Sequence, residues 1–216
     1  MNKIERLAAA LIASIAWLGL GLQFYLIMFD PVVGEVSAGQ RFVNFFSYFT
    51  VLSNMIVAIS LTASLVLPGS AIGQFFSQTS TRTAIAVYIA VVGLVYTLVL
   101  RSIWNPSGLA LIADRTLHDV VPVLYLLYWL ALVSKSGLNW SGPVWWLIYP
   151  IVYMTYSIVR GAIMGWYPYP FADVTQLGYP TALVNSALVV VGFFVIGILF
   201  VAIGKLKSRT ANTAPG

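Results

Sequence analysis

The chain contains no cysteine, one histidine and few charges. Without cysteine there can be no disulfides, thiolate metal sites or thiol nucleophiles, and the redox compartment is left unmarked. One imidazole, His118, excludes paired-histidine haem ligation and leaves only a His–Met pair for that role. Charged residues make up 8% of the 216 positions. A soluble domain carries about 25%, so no water-facing shell can be assembled. No G-x-S-x-G elbow surrounds any serine, and no residue pattern calls for a metal or cofactor.

What the chain has in abundance is apolar length. Runs at 7–28, 43–67, 84–100, 117–134, 143–164 and 181–204 fall in or near the roughly 17–25 residues that cross a 30 Å hydrocarbon slab as helix. The expected fold is all-α: a polytopic membrane protein with one domain, 1–204, of six transmembrane helices, and a polar, disordered tail at 205–216. The first run is longer than the 7–15-residue core of a secretory signal and has no small-residue cleavage site after it, so it reads as a retained helix.

The net charge of +5 could suggest nucleic acid, but its distribution marks membrane orientation. With six spans, one side carries Lys3, Arg6, Arg82, Lys135, Lys205, Lys207 and Arg209 against Glu5 alone. The other carries Arg41, Arg101, Arg115 and Arg160 against Asp30, Glu35, Asp114, Asp119 and Asp173. That asymmetry places both termini in the cytoplasm. The expected partners are membrane lipids, with no nucleic acid among them.

Polar residues inside the spans gather at the outer ends. Ser47, Thr50 and Asn54 share one face of the second run, with Thr50 about six residues, or roughly 9 Å, below the boundary. Asp114, His118 and Pro122 follow at four-residue steps, with Asp119 adjacent. Thr97 and Arg101 end the third run, and Asn185 and Ser186 begin the sixth. Tyr149, Tyr153, Tyr156 and Arg160 line the fifth, with Ser157 beside them. The outer connections 101–115 and 165–180 are rich in aromatics, Pro and Gly, which suits a cap at headgroup level. An outer-leaflet pocket is the simplest common explanation.

Each residue also has a plainer reading. A transmembrane Thr can bond back to its own helix, a His at a helix start can be interfacial, and Tyr stripes can be core or belt packing. Arg160 can snorkel to the headgroups or pair with a buried acid. Ester hydrolysis needs a nucleophile, a base and oxyanion donors. Without Cys the nucleophile is Ser, Thr or a carboxylate, and any histidine base is His118.

The segments RFVNFFSYFTVLSN (41–54), ADRTLHDVVPVLYLLYW (113–129) and VRGAIMGWYPYPFADV (159–174) resemble the bacterial branch of the androgen-induced-gene/FAR-17a-like integral membrane protein family. The likeness covers nearly the whole chain and implies six spans in a bacterial inner membrane, with cytoplasmic termini. Eukaryotic members are intramembrane threonine hydrolases of fatty acid esters of hydroxy fatty acids. Carried over by motif, the resemblance implies a Thr50 nucleophile and a His118 base acting on a lipid ester, without a cofactor. Asp114 is the expected orienting acid, with Asp119 and Asp173 as competitors. Asn54 and Arg160 are expected to recognise the oxyanion or a substrate carboxylate, and Ser47 and Ser53 are alternative nucleophiles. The rival expectation is a transporter or lipid-binding membrane protein without covalent chemistry. Against transport, the cytoplasmic halves of the spans lack a polar path and no inverted repeat is visible.

Overall fold

A computed structural model describes residues 1–29 and 36–213, with side chains through residue 208. Asp30, Glu35, the Arg209 side chain and tail residues 214–216 lie outside what is described. The described residues are helical, with no strand among them. In hydrocarbon this follows from backbone hydrogen bonding, because a helix satisfies its own N–H and C=O groups where no water can. Five helices are long and apolar enough to cross a membrane: Lys3–Phe29, Phe49–Val66, Thr79–Leu100, Gly142–Met164 and Val174–Ser208. Their outward faces are apolar as well. Leu18, Leu98 and Ile163 are 74%, 77% and 75% exposed, a surface suited to lipid contact.

The chain divides into two compact units, Met1–Ser134 and Lys135–Gly216. The first contains α1 (Lys3–Phe29), α2 (Ala38–Phe45), α3 (Phe49–Val66), α4 (Ala71–Ser77), α5 (Thr79–Val95), α6 (Gly108–Arg115) and α7 (Val121–Leu132). α1 packs along α3, and α5 along α7. Small side chains, Ala9, Ala13 and Ala16 on α1 and Ala58 on α3, are buried and allow close helix approach. Where α1 and α5 begin, Arg82 Nη1 donates to Glu5 Oε1 at 2.7 Å, both side chains being at most 10% exposed. The Tyr128 hydroxyl reaches the same carboxylate oxygen at 3.4 Å. Arg82, counted above among the basic residues of the cytoplasmic side, and Glu5, the acid set against them, thus form a buried ion pair.

The second unit contains α8 (Gly142–Trp146), α9 (Ile148–Met164), a 3-10 turn (Pro170–Ala172) and α10 (Val174–Thr213). α10 packs against α8 and α9. It is interrupted at Gly178, where φ 72° and ψ 159° form a backbone conformation that only glycine adopts readily. Pro180 follows, and the apolar run 181–204 starts beyond the kink.

Three boundaries differ from the sequence expectation, each for a local reason. The run 43–67 is not one helix. The Ser47 hydroxyl donates to the Val43 carbonyl at 2.7 Å and the Ser47 amide to Asn44 O at 3.0 Å, which closes α2 before α3 restarts at Phe49. Thr50 therefore sits in the first turn of α3 instead of six residues into a span. The run 117–134 begins early, because helical structure extends unbroken from Gly108 to Leu132 through a π turn at Thr116–Val120. Finally, α10 runs on to Thr213. The expected disordered tail from 205 contains Lys, Leu, Arg and Ala, all good helix formers, and the helix continues through them.

Candidate functional site

Two π turns shape one end of the first unit. In the first, Tyr96–Leu100, the Arg101 amide bonds to Tyr96 O at 2.8 Å. In the second, Thr116–Val120, the Val121 amide bonds to Thr116 O. A π turn inserts one residue and rotates the side chains that follow, and such turns occur frequently at functional sites. One carries Tyr96 and the other His118. α5 can lie close to the second because Gly93 has no side chain: a Cβ there would stand 3.3 Å from His118 O and 3.4 Å from Pro122 Cβ.

Donors and acceptors select the tautomer of a neutral imidazole at His118. His118 Nδ1 lies 3.0 Å from the Asp114 main-chain oxygen and 3.2 Å from the Asp114 carboxylate. Both neighbours only accept, so for a neutral ring the proton sits on Nδ1 and the lone pair on Nε2. Nε2 faces Thr50 Oγ1 at 3.2 Å, so the hydroxyl donates and the ring accepts. Asp114 is 4% exposed, and its other carboxylate oxygen accepts from the Tyr96 hydroxyl. The Tyr96 ring stacks on the imidazole, with centroids 4.1 Å apart and planes within 17°. Hydroxyl, imidazole and carboxylate thus form a continuous chain, with a phenol closing its far end.

Around this chain the remaining expected residues fall into distinct places. The Asp119 carboxylate is shared by Arg101 and Arg115, the latter at 2.9 Å, while the His118 Nδ1 contacts are to Asp114. Asp119 does not orient the imidazole. Asn54 is fully buried, and its Nδ2 donates to the carbonyls of Thr50 at 2.8 Å and Leu117 at 3.1 Å. Both donors are committed to backbone, so Asn54 is no oxyanion donor. The Ser47 hydroxyl bonds its own turn, as above, and it is the Thr50 hydroxyl that meets the imidazole; Ser53 is buried on α3.

Asp173 and Arg160 belong to the second unit. Asp173 Oδ1 accepts from the Thr175 amide at 2.9 Å and the Gln176 amide at 3.3 Å, so this carboxylate caps α10. Arg160 lies over the Trp166 ring at 4.8 Å. Asn185 donates to Phe171 O at 3.0 Å, and Tyr153 is buried.

Tyr96 was not anticipated from the sequence. A tyrosine near the end of an apolar run reads as belt packing, and the available signal is its spacing from Arg101. Five residues is the π interval, and Arg101 does lie over the Tyr96 ring at 4.9 Å. No family model, curated protein or solved structure matches the chain, so the site is argued from its own geometry.

Proposed function

We propose that this chain is a six-span membrane hydrolase of lipid esters, with both termini cytoplasmic and the site in the outer leaflet. The sixth span is the helical stretch Gly108–Leu132. The single observation that carries the reading is the relay from Thr50 Oγ1 to His118 Nε2 and from Nδ1 to Asp114.

In the reaction, Thr50 Oγ attacks the ester carbonyl while His118 Nε2 takes its proton. The tetrahedral oxyanion forms beside the first turn of α3, where the helix dipole favours negative charge. The carbonyl–alkoxide bond then breaks, and His118 gives its proton to the leaving alcohol. Water attacks the acyl-threonine with His118 again as base, which releases the acid and restores Thr50. Asp114 holds the imidazole in its tautomer and stabilises the imidazolium. Two guanidiniums share Asp119, so their donors lie beside the site, balanced in charge by Asp119 and Asp114. A free carboxylate on the substrate, as in a fatty acid ester of a hydroxy fatty acid, would be received there.

The test is an electrophilic, hydroxyl-directed lipid-ester probe applied to the purified protein, with the modified residue mapped. Labelling of Thr50 that is lost in His118→Ala is the expected result; a stable fold with no label on Thr50 refutes the hydrolase. The rival, a lipid-binding or transport protein without covalent chemistry, draws support from the burial of Thr50, which is 7% exposed. It predicts saturable lipid binding without labelling.

A further inference from the structure

The π turn that carries His118 leaves one backbone group without a main-chain partner. The carbonyl of Leu117 could take an amide four or five residues onward. Four onward is Val121, whose N–H is already given to Thr116 O. Five onward is Pro122, which has no N–H. A buried carbonyl left without a donor is costly, and here a side chain fills the place: Asn54 Nδ2, 3.1 Å away across the helix interface. The same nitrogen donates at 2.8 Å to the carbonyl of Thr50.

We infer that Asn54 is a positioning residue: one amide group replaces the hydrogen bond that Pro122 cannot make and couples the Thr50 turn of α3 to the His118 turn. The inference rests on the hydrolase reading for its purpose, while its geometry stands independently. Thr50 and His118 lie on separate elements, so their separation depends on contacts across the interface between them. A single amide bonds the residue before His118 and the backbone of Thr50 itself, and so ties the two across that interface. Asn54 lies one turn along α3 from Thr50, so it acts without touching the reacting atoms. Its Oδ1 is buried and accepts no hydrogen bond. That pattern fits a residue that acts through its two N–H donors, since both point at carbonyls and the acceptor end has no protein partner.

The experiment uses the full chain in lipid nanodiscs with 15N-labelled histidine, where the sole imidazole gives one Nδ1 and one Nε2 resonance. Thr50→Val sets the Nε2 position for a broken Thr50–His118 bond. Asn54→Leu, similar in volume without donors, is expected to move Nε2 most of the way to that position while Nδ1–H stays on Asp114. Asn54→Asp, equal in size and with at most one donor for two carbonyls, moves it in the same direction and guards against a Leu variant that does not fold. A loss of stability alone would leave the native resonance where it is. Thr50 labelling should slow by about tenfold or more with the loss of both bonds. Nε2 resonances at the wild-type position in the folded Asn54 variants would overturn the inference. A shifted Nε2 with a wild-type protein that never labels would sink the hydrolase and leave the positioning role intact.

Discussion

The first unit buries polar chemistry at both ends, and the two clusters are built differently. At the end where α1 and α5 begin, Glu5 and Arg82 pair at 2.7 Å on regular helical turns. Arg82 Nε also donates to Phe76 O at 3.2 Å, and Trp129 Nε1 to Thr83 Oγ1 at 3.0 Å. Charge meets charge and donors meet acceptors; no nucleophile faces a base. At the other end the helices are deformed by two π turns and a break at 46–48, and a hydroxyl faces an imidazole lone pair. Burial and polarity are common to both clusters. What separates them is backbone distortion joined to a donor–base pair, and that combination, more than buried polarity, marks the place where chemistry is expected.

The sharpest way to break the comparison is to remove the proposed nucleophile or the proposed base. Thr50→Ala should abolish acyl-enzyme formation, and His118→Ala should slow it by about 10²–10⁴-fold, the usual contribution of a positioned base. Thr50→Ala should leave the unfolding temperature near that of the parent, whereas His118→Ala also loses the stack on Tyr96 and the partner of buried Asp114, so its labelling rate is read on the folded fraction. Mass mapping of the probe adduct and a thermal melt check both halves; unchanged labelling in Thr50→Ala would remove the distinction altogether.

The opposite cluster should respond in the opposite sense. Arg82→Met leaves Glu5 buried without its counter-charge and should cost about 3–5 kcal/mol of stability, while the folded fraction labels at the parental rate. Adding Glu5→Gln should recover much of that loss, because the buried unpaired charge is the expensive species. If Arg82→Met slowed labelling of the folded protein, the two ends would be coupled and the contrast between lock and site would fail. Denaturant or thermal unfolding run alongside the labelling assay decides this.

Asp114→Asn sharpens the site half. An asparagine amide can donate toward Nδ1, which favours the tautomer with its proton on Nε2 and removes the base facing Thr50. In Ser–His–Asp enzymes such a change is worth roughly 10⁴-fold. Here the main-chain oxygen of residue 114 also holds Nδ1, at 3.0 Å, and survives the substitution. The expected fall in labelling rate is therefore smaller, about 10–100-fold. A 15N histidine spectrum should show the tautomer mixture directly.

The difference between the clusters also explains what was legible in the sequence. Apolar length announced the membrane helices, because the slab sets their size. The sole histidine and the i,i+4 step to Asp114 pointed to the imidazole and the carboxylate that meets it. The pairing with Thr50 needed family resemblance, since contact between helices leaves no spacing in the chain. The break at 46–48 was hidden inside a continuous apolar run, where Ser47 looks like one more polar residue on a helix face. The π turns were hidden because period-3.6 reading assumes regular helix, although Pro122, which denies an amide to the turn before it, was a visible warning. Glu5 and Arg82 were read as orientation charges because burial is invisible in composition. Asp173 lies ahead of α10 in a capping position that three-dimensional structure was needed to separate from catalysis.

Tyr96 offers the finest test of the comparison, because it has a counterpart. Tyr128 places its hydroxyl 3.4 Å from the Glu5 carboxylate, much as Tyr96 bonds the Asp114 carboxylate. Replacing either with Phe keeps the ring and deletes one hydrogen bond to an acid, a change worth about 1.5–3 kcal/mol at most when the acid is charged. Tyr128→Phe should spend that difference on stability alone. Tyr96→Phe should retain the stack over the imidazole, held at 4.1 Å, and lose the hydroxyl that fixes the second oxygen of Asp114. The carboxylate is then free to rotate away from Nδ1, so part of the effect should appear in turnover, as a fall of several-fold in labelling rate with an altered pH profile. Equal partition between stability and rate in the two Phe variants would mean that the phenols serve one structural purpose, and the chemical distinction would then rest on Thr50 and His118 alone.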